Sequence, residues 1–210
     1  RYIYSLIPSE LNKHNKRFYL KKASERGRFD RAEADFIWLK EAGIAIPVYN
    51  VDEPKIPLEL ARKSNLFKLF MNDVGLLCSL YMDGIQIKIL NGDTDMNFGA
   101  VYENYVAQEL IAHGFETIYY YNSKKRGEVD FLVETGDAVL PIEAKSGKDF
   151  TLHAALNNLM SETEFDIPSA FVVSKSGKVE SQGKIICLPI YFLMFLEHKA
   201  ITQPLIYRIE

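Results

Sequence analysis

The chain has 210 residues and a mass of 24.1 kDa, enough for one large domain or two small ones. Hydrophobic residues make up 48% of it and charged residues 25%, which excludes a disordered, collagen-like or coiled-coil chain. The net charge of -3 excludes a uniformly basic nucleic-acid-binding protein, but the charge is unevenly distributed. Residues 1–40 contain ten Lys or Arg and five Asp or Glu, so the N-terminal part is basic and the rest is acidic.

The cysteine and apolar patterns indicate a cytoplasmic protein. Cys78 and Cys187 lie in apolar runs without a C-x-x-C spacing, so we expect buried, reduced thiols. The longest apolar run, residues 185–196, is interrupted by Pro189 and is shorter than the roughly 18 residues that a membrane span needs. The N-terminus has no apolar signal-peptide core. Because the first residue is Arg rather than Met, we expect a part of a longer protein.

The N-terminal 90 residues predict a winged-helix-like domain. A short polar helix and an amphipathic helix are followed by two strands with a Pro-broken loop between them, which is the element order of a winged helix. Pro47 lies within the first strand and favours an edge position, because proline lacks the N–H that a sheet needs. The expected elements are helices at 9–16 and 31–43 and strands at 44–51 and 66–73.

Residues 91–210 predict a second domain with a mixed sheet and flanking helices. A helix is followed by three strands in series, which we expect to form an antiparallel meander because short turns separate them. Another helix, two further strands and a last helix complete the unit. The expected elements are helices at 98–113, at 151–162 and from Pro189, and strands at 117–122, 128–134, 138–145 and 169–175 and in GKIICL.

Three charged residues lie in two neighbouring strands of the expected meander. Glu143 and Lys145 project from the same face of one strand because side chains alternate, and Asp130 can lie opposite them on the preceding strand. Charges buried in apolar strands are costly unless they pair or bind a cation. Two carboxylates and the carbonyl of Ala144 are oxygen ligands that suit Mg²⁺ or Mn²⁺. Lys145 would orient or deprotonate a water, or stabilise negative charge on a phosphate.

The competing interpretation is a pair of Lys–carboxylate bridges on a solvated face of the sheet. An isolated E-x-K favours that interpretation. Here Val129, Phe131 and Ile142 surround the charged residues, so the sequence favours a buried functional site.

An acidic residue on a helix, then an Asp, then E-x-K on successive strands resembles the active-site pattern of the PD-(D/E)XK, restriction-endonuclease-like superfamily. The helix GAVYENYVAQEL supplies Glu103, with Glu109 as an alternative. The resemblance implies that Glu103 is the helix acid, Asp130 and Glu143 are metal ligands and Lys145 is the catalytic lysine. It further implies hydrolysis of a phosphodiester by a water that Mg²⁺ or Mn²⁺ activates.

A closer resemblance covers nearly the whole chain. FKLFMNDVGLL, GAVYENYVAQEL, YYYNSKKRGEVDFLV and IEAKSGK are similar to the C-terminal half of a prokaryotic AAA-type ATPase family. The resemblance implies an α/β (α+β) protein with a winged-helix-like domain at 1–90 and a PD-(D/E)XK endonuclease-like domain at 91–210. The sequence has no G-x-x-x-x-G-K-[ST] motif, so ATP would act only through the absent N-terminal ATPase domain.

Two basic segments are candidates for contact with DNA phosphates. Residues 13–31 hold eight basic and two acidic residues, and a second basic group lies in the turn before the Asp130 strand. A solvated surface, or a surface that docks on the ATPase domain, is the competing interpretation. The candidate nucleic-acid-binding residues are Lys16, Arg17, Lys21, Lys22, Lys124, Lys125 and Arg126.

The sequence therefore supports two classes of function. The first is a metal-dependent nuclease-like, DNA-associated module of an AAA-type ATPase, which would be a hydrolase. The second is a non-catalytic module that binds DNA or protein and regulates or docks on the ATPase half. A winged-helix transcription regulator is a third interpretation, but it leaves the buried carboxylates unexplained.

Overall fold

The computed structural model describes residues 2–13, 16, 36–81, 84–91, 98–147 and 153–198. The described strands form one mixed sheet of eight strands in the order β2-β1-β3-β4-β5-β6-β8-β7. The strands are β1 (Ala45–Val51), β2 (Arg62–Met71), β3 (Ile118–Ser123), β4 (Gly127–Thr135), β5 (Ala138–Lys145), β6 (Ala170–Ser174), β7 (Glu180–Gln182) and β8 (Ile185–Pro189).

Helices flank this sheet, and the α+β fold class expected from the sequence is confirmed. Each described helix is too short or too polar to cross a membrane. The helices are α1 (Tyr2–Leu11), α2 (Val74–Ser79), α3 (Ile85–Leu90), α4 (Gly99–Ala112) and α5 (Ala154–Met160), with 3₁₀ turns at Leu58–Ala61, Thr163–Phe165 and Ile190–Phe195 and helical residues at 36–41.

The antiparallel meander predicted for the middle of the chain is confirmed. β3 pairs with β4 and β4 pairs with β5, both antiparallel. β5, β6 and β8 then run parallel to one another, and the short β7 returns antiparallel along β8. Tyr119, Tyr120 and Tyr121 are all buried, so both faces of the sheet are covered at β3.

The strands expected to form the wing of a winged helix instead belong to the main sheet. β1 pairs antiparallel with β2 and also parallel with β3, so one sheet runs across the boundary expected at residue 90. Six of the seven β1 residues are buried, the pattern of an interior strand that is covered on both faces. Pro47 is therefore not on an edge strand. It precedes residues 48–51, the part of β1 that pairs with β3.

The N-terminal helices also differ from expectation. The first helix is α1, which ends at Leu11, rather than a helix at 9–16. Of the helix expected at 31–43, the structure describes only residues 36–41 as helical, and the start of that helix lies outside the described residues.

Helix α4 fixes the end of β2 through a buried side chain. The Asn104 Oδ1 accepts the Met71 N–H at 2.7 Å, and its Nδ2 donates to the Met71 carbonyl at 2.9 Å. One turn later the Gln108 Oε1 accepts the Val74 N–H at 2.8 Å, at the start of α2. These bonds provide hydrogen-bond partners for main-chain groups of Met71 and Val74, at and just after the end of the edge strand β2. They tie the N-terminal strands to the helix that carries Glu103.

We predict that Asn104→Ala lowers the free energy of unfolding by about 3 kcal/mol, because a buried N–H and a buried C=O each lose a partner at about 1–3 kcal/mol. Urea unfolding monitored by circular dichroism measures the change. Asn157→Ala is the matched control, since Asn157 is exposed in α5, and it should change stability by less than about 0.5 kcal/mol. If both substitutions lowered the free energy of unfolding equally, Asn104 would not be the residue that fixes the end of β2.

Candidate functional site

Strand β4 contains a β-bulge close to Asp130. Tyr119 pairs with Leu132 and Tyr121 pairs with Val129, so a two-residue step on β3 faces a three-residue step on β4. The extra residue falls in the segment that contains Asp130. A bulge interrupts the alternation of side chains and bends the strand, and it commonly redirects a functional side chain.

The carboxylates of Asp130 and Glu143 continue the contact between β4 and β5 beyond the regular pairing. The regular ladder between β4 and β5 ends with the pair Phe131 and Ile142. Beyond it, the Ala144 N–H donates to Asp130 Oδ2 at 3.0 Å, and the Asp130 N–H donates to Glu143 Oε2 at 3.4 Å. Each carboxylate therefore binds the main chain of the opposite strand, which holds the two acids side by side.

Lys145 lies beside Glu143 on β5, as the i, i+2 spacing predicts. Its Nζ donates to Glu143 Oε1 at 2.8 Å. The Glu143 side chain is 9% exposed and that of Lys145 is 27% exposed, so the lysine sits at the rim of the cluster. A part-exposed ammonium at this place can contact a ligand that enters from solvent.

Glu103 approaches the same cluster from helix α4. The residue is 5% exposed, and its Oε1 forms an ion pair with the Nζ of Lys16. Its Oε2 is buried and has no hydrogen-bond partner among the described residues. A buried carboxylate oxygen without a partner is costly, so this atom is available to a cation or a water.

Lys68 is the residue of this cluster that sequence reasoning missed. It lies in β2 and is fully buried, with its Nζ 2.7 Å from Glu128 Oε1 and 3.8 Å from Asp130 Oδ1. The Nζ also lies 4.9 Å from the centroid of the Tyr120 ring, a cation–π distance. The only sequence signal was a lysine in the apolar run LFKLFM, which is more often a solvated residue of an edge strand.

The curvature of the sheet explains how β2 reaches β4. The strands β1 and β3 lie between them in the sheet order, yet the rings of Phe70 and Phe131 have centroids only 5.5 Å apart. The sheet therefore curves enough for side chains of β2 and β4 to meet on one face. Lys68, two residues before Phe70, is thereby carried to the carboxylates.

Burial and mutual repulsion raise the pKa values of two of these acids. Burial first, and then the Asp130 charge, raise the pKa of Glu143 to about 8, although Lys145 opposes the shift. Burial and Asp130 likewise raise the pKa of Glu103 to about 6, against the opposing charges of Lys68 and Lys16. Perturbed carboxylates of this kind are concentrated at functional sites, though structural ion-pair networks produce them as well.

The carboxylates of the cluster also shift the pKa values of Lys68 and Lys145. Burial lowers the pKa of Lys68, but Glu103, Asp130 and Glu128 outweigh it and hold that pKa above its usual value. The pKa of Lys145 is also raised, because Glu143 outweighs the effect of burial. Both lysines therefore carry a positive charge in the cluster.

The donor set suits a hard divalent cation. Asp130 and Glu143 supply carboxylate oxygens, and the orphaned Oε2 of Glu103 is a third oxygen in the same field. The Ala144 N–H points to β4, and a residue of an antiparallel strand directs its C=O to the same neighbour, so we infer that this carbonyl is directed towards β4 as well. In the described part of the chain, no group of three or more His, Cys, Asp or Glu is already arranged around a single ion position.

The residues predicted to contact nucleic acid are exposed, paired with a carboxylate, or outside the described residues. Lys124 and Lys125 are exposed in the turn between β3 and β4. Arg126 is less available, because its Nε donates to Glu162 Oε1 at 2.7 Å. Lys16 is engaged by Glu103 rather than free on the surface. The remaining candidates lie outside the described residues; they are Arg17, Lys21 and Lys22.

Comparison with known proteins gives one match. Residues 98–193 match a protein family described as "Domain of unknown function (DUF4143)". The matched region contains Glu103, Asp130, Glu143 and Lys145, whereas Lys68 lies outside it. No curated protein and no solved structure matches the chain.

We predict that Glu143→Gln becomes progressively more stable relative to the wild type as the pH rises from about 4.5 to about 8. The folded-state pKa of Glu143 is raised, so above about pH 4.5 the unfolded chain releases this proton while the folded protein keeps it until about pH 8. The free energy of unfolding of the wild type therefore falls across that window, whereas Gln cannot ionise. Urea unfolding at pH 5 and pH 8.5 measures the difference. Glu180→Gln, on exposed β7, controls for the loss of one carboxylate elsewhere. A stability difference for Glu143→Gln that is independent of pH would contradict the prediction.

Proposed function

We propose that the Asp130–Glu143–Lys145 cluster is the active site of a metal-dependent nuclease-like module that hydrolyses phosphodiester bonds. The observation that carries this proposal is the side-by-side arrangement of two carboxylates, each bound to the main chain of the other strand, with a part-exposed lysine at the rim. This arrangement suits phosphodiester chemistry, because it pairs oxygen ligands for a cation with a positive charge for a phosphate.

Asp130 and Glu143 would hold one Mg²⁺ or Mn²⁺, with the Ala144 carbonyl as a further ligand. When bound, the cation would supply Lewis-acid chemistry, polarising a phosphoryl oxygen and making a water easier to deprotonate. Lys145 would orient the attacking water or stabilise the charge that develops on the phosphate. Glu103, buried behind these residues, would fix the electrostatic field of the site.

DNA is the substrate that this proposal favours. The exposed Lys124 and Lys125 precede the Asp130 strand, where they can contact phosphates of a bound strand. The resemblance to PD-(D/E)XK nucleases and to the C-terminal half of AAA-type ATPases supports the same reaction. In that setting the ATPase domain is the partner, and ATP acts through it.

One observation favours a second function, a non-catalytic module that docks DNA, a protein or the ATPase half. Three acids of the cluster already have lysine partners, in the pairs Lys16–Glu103, Lys68–Glu128 and Lys145–Glu143. Buried ion pairs of this kind can persist as structural elements after chemistry is lost. The two functions differ in whether a divalent cation binds and whether DNA is cut.

One test of this proposal concerns the metal. We expect the wild type to bind Mn²⁺ and Asp130→Asn to lose that binding, because an amide oxygen replaces a charged ligand but can still accept the Ala144 N–H. Isothermal titration calorimetry measures both. Asp137→Asn, in the exposed turn between β4 and β5, is the matched control and should bind as the wild type does. Equal binding by Asp130→Asn would remove the metal from this site.

A second test separates an enzyme from a binding module. Lys145→Ala should reduce Mg²⁺-dependent DNA cleavage by at least about 100-fold while leaving the fold and DNA affinity nearly unchanged, because Lys145 acts mainly on the transition state. Single-turnover cleavage of single-stranded, duplex and branched DNA, with Mg²⁺ and with Mn²⁺, measures the rate.

Lys178→Ala is the control for this measurement, since Lys178 is an exposed lysine of the β6–β7 connection. Its cleavage rate should match that of the wild type. If the wild type cuts none of these substrates with either metal, alone or joined to the ATPase domain with ATP, the nuclease proposal is wrong and the binding module is favoured.

A further inference from the structure

The ammonium of Lys68 occupies one side of Asp130. The Asp130 Oδ2 accepts the Ala144 N–H from β5, and its Oδ1 faces the Lys68 Nζ at 3.8 Å. The same Nζ lies 2.7 Å from Glu128 Oε1. The two carboxylate oxygens of Asp130 therefore have different partners. Oδ2 faces the neighbouring strand β5, and Oδ1 faces the buried ammonium of Lys68.

Lys68 cannot leave the cluster as the other two lysines can. The side chains of Lys16 and Lys145 are 18% and 27% exposed, so both can turn towards solvent when a ligand enters. The Lys68 side chain is 0% exposed. Its strand is fixed three residues later, where Asn104 binds both main-chain groups of Met71. Among the described lysines of this cluster, Lys68 is the one whose charge is fully buried.

A second divalent cation would have to share Asp130 with this ammonium. In two-metal sites the ions lie roughly 3.5–4 Å apart, so two ions held by this cluster would both have to lie close to Asp130. Here the Oδ1 side of Asp130 already faces a positive charge, and a divalent ion placed there would be repelled. The side of Asp130 that faces Glu143 remains for one ion.

We propose that Lys68 is a resident cation of the acidic cluster, a positioning residue that takes the place of a second metal ion beside Asp130. The cluster of the wild-type protein then holds one divalent cation, and its affinity for that cation is set by Lys68. This inference rests on the proposed function for the existence of the metal site. It also assigns a part of the site to β2, which lies outside the region that matches the DUF4143 family.

The experiment compares Mn²⁺ binding to the wild type, Lys68→Met and Lys63→Met by isothermal titration calorimetry at one pH and salt concentration. Lys63→Met is the matched control, because it removes the same charge from the same strand, at a half-exposed lysine paired with Asp52. We expect one Mn²⁺ per wild-type chain, at least 10-fold tighter binding or a second ion with Lys68→Met, and wild-type behaviour with Lys63→Met. A purely structural lysine would not raise metal affinity when it is removed.

The outcomes separate this inference from the proposed function. If the wild type binds two ions, or if Lys68→Met binds as the wild type does, the role of Lys68 is wrong although the metal site stands. If only Lys68→Met binds Mn²⁺, the metal site of the wild type and the single-ion inference are both wrong. If neither protein binds Mn²⁺, both proposals fall.

Circular dichroism and thermal unfolding establish that each variant is folded. Lys68→Gln is the second neutral variant if Lys68→Met does not fold. If neither neutral variant folds, the wild-type stoichiometry decides: a single ion supports the inference, and any other number overturns it.

Discussion

The cost of burying carboxylates inside a sheet governs the organisation of this protein. Unit charges 4 Å apart interact by about 4 kcal/mol at an effective dielectric constant near 20, and removing one partner of a buried ion pair costs about 3–5 kcal/mol. Glu103 and Glu143 are buried, and the Asp130 side chain is only 15% exposed. Such acids persist only if main-chain donors and cations compensate them. Here the donors and Lys145 come from β4 and β5, while Lys16 and Lys68 come from elsewhere in the chain.

That requirement links parts of the sequence that are far apart. Lys68 is 60 positions before Glu128, and Lys16 is 87 positions before Glu103. Because β1 joins β3, the N-terminal strands extend the sheet and bring Lys68 over its face. Asn104, next to Glu103 on α4, fixes the end of the same strand. Packing and electrostatics therefore depend on the same few contacts, and the cluster is as much a part of the fold as it is a candidate site.

The sequence predicted the local parts of this arrangement and missed the long-range parts. The meander and the pairing of Glu143 with Lys145 follow from alternation and short turns, which are visible in a single sequence. The bulge at Asp130 and the parallel pairing of β1 with β3 depend on contacts between distant segments, so no periodicity reveals them. Lys68 was missed for the same reason, since a lysine in a strand looks solvated until its strand is placed over β4.

The same contrast explains why a matched region does not by itself define the site. Residues 98–193 supply the acids and the rim lysine, but two of the three compensating cations, Lys16 and Lys68, lie outside that range. Without them the cluster would hold Glu103, Glu128, Asp130 and Glu143 against Lys145 alone. An excess of buried negative charge either raises carboxylate pKa values or recruits metal ions. The N-terminal segment, through Lys16 and Lys68, therefore sets the net charge of the cluster.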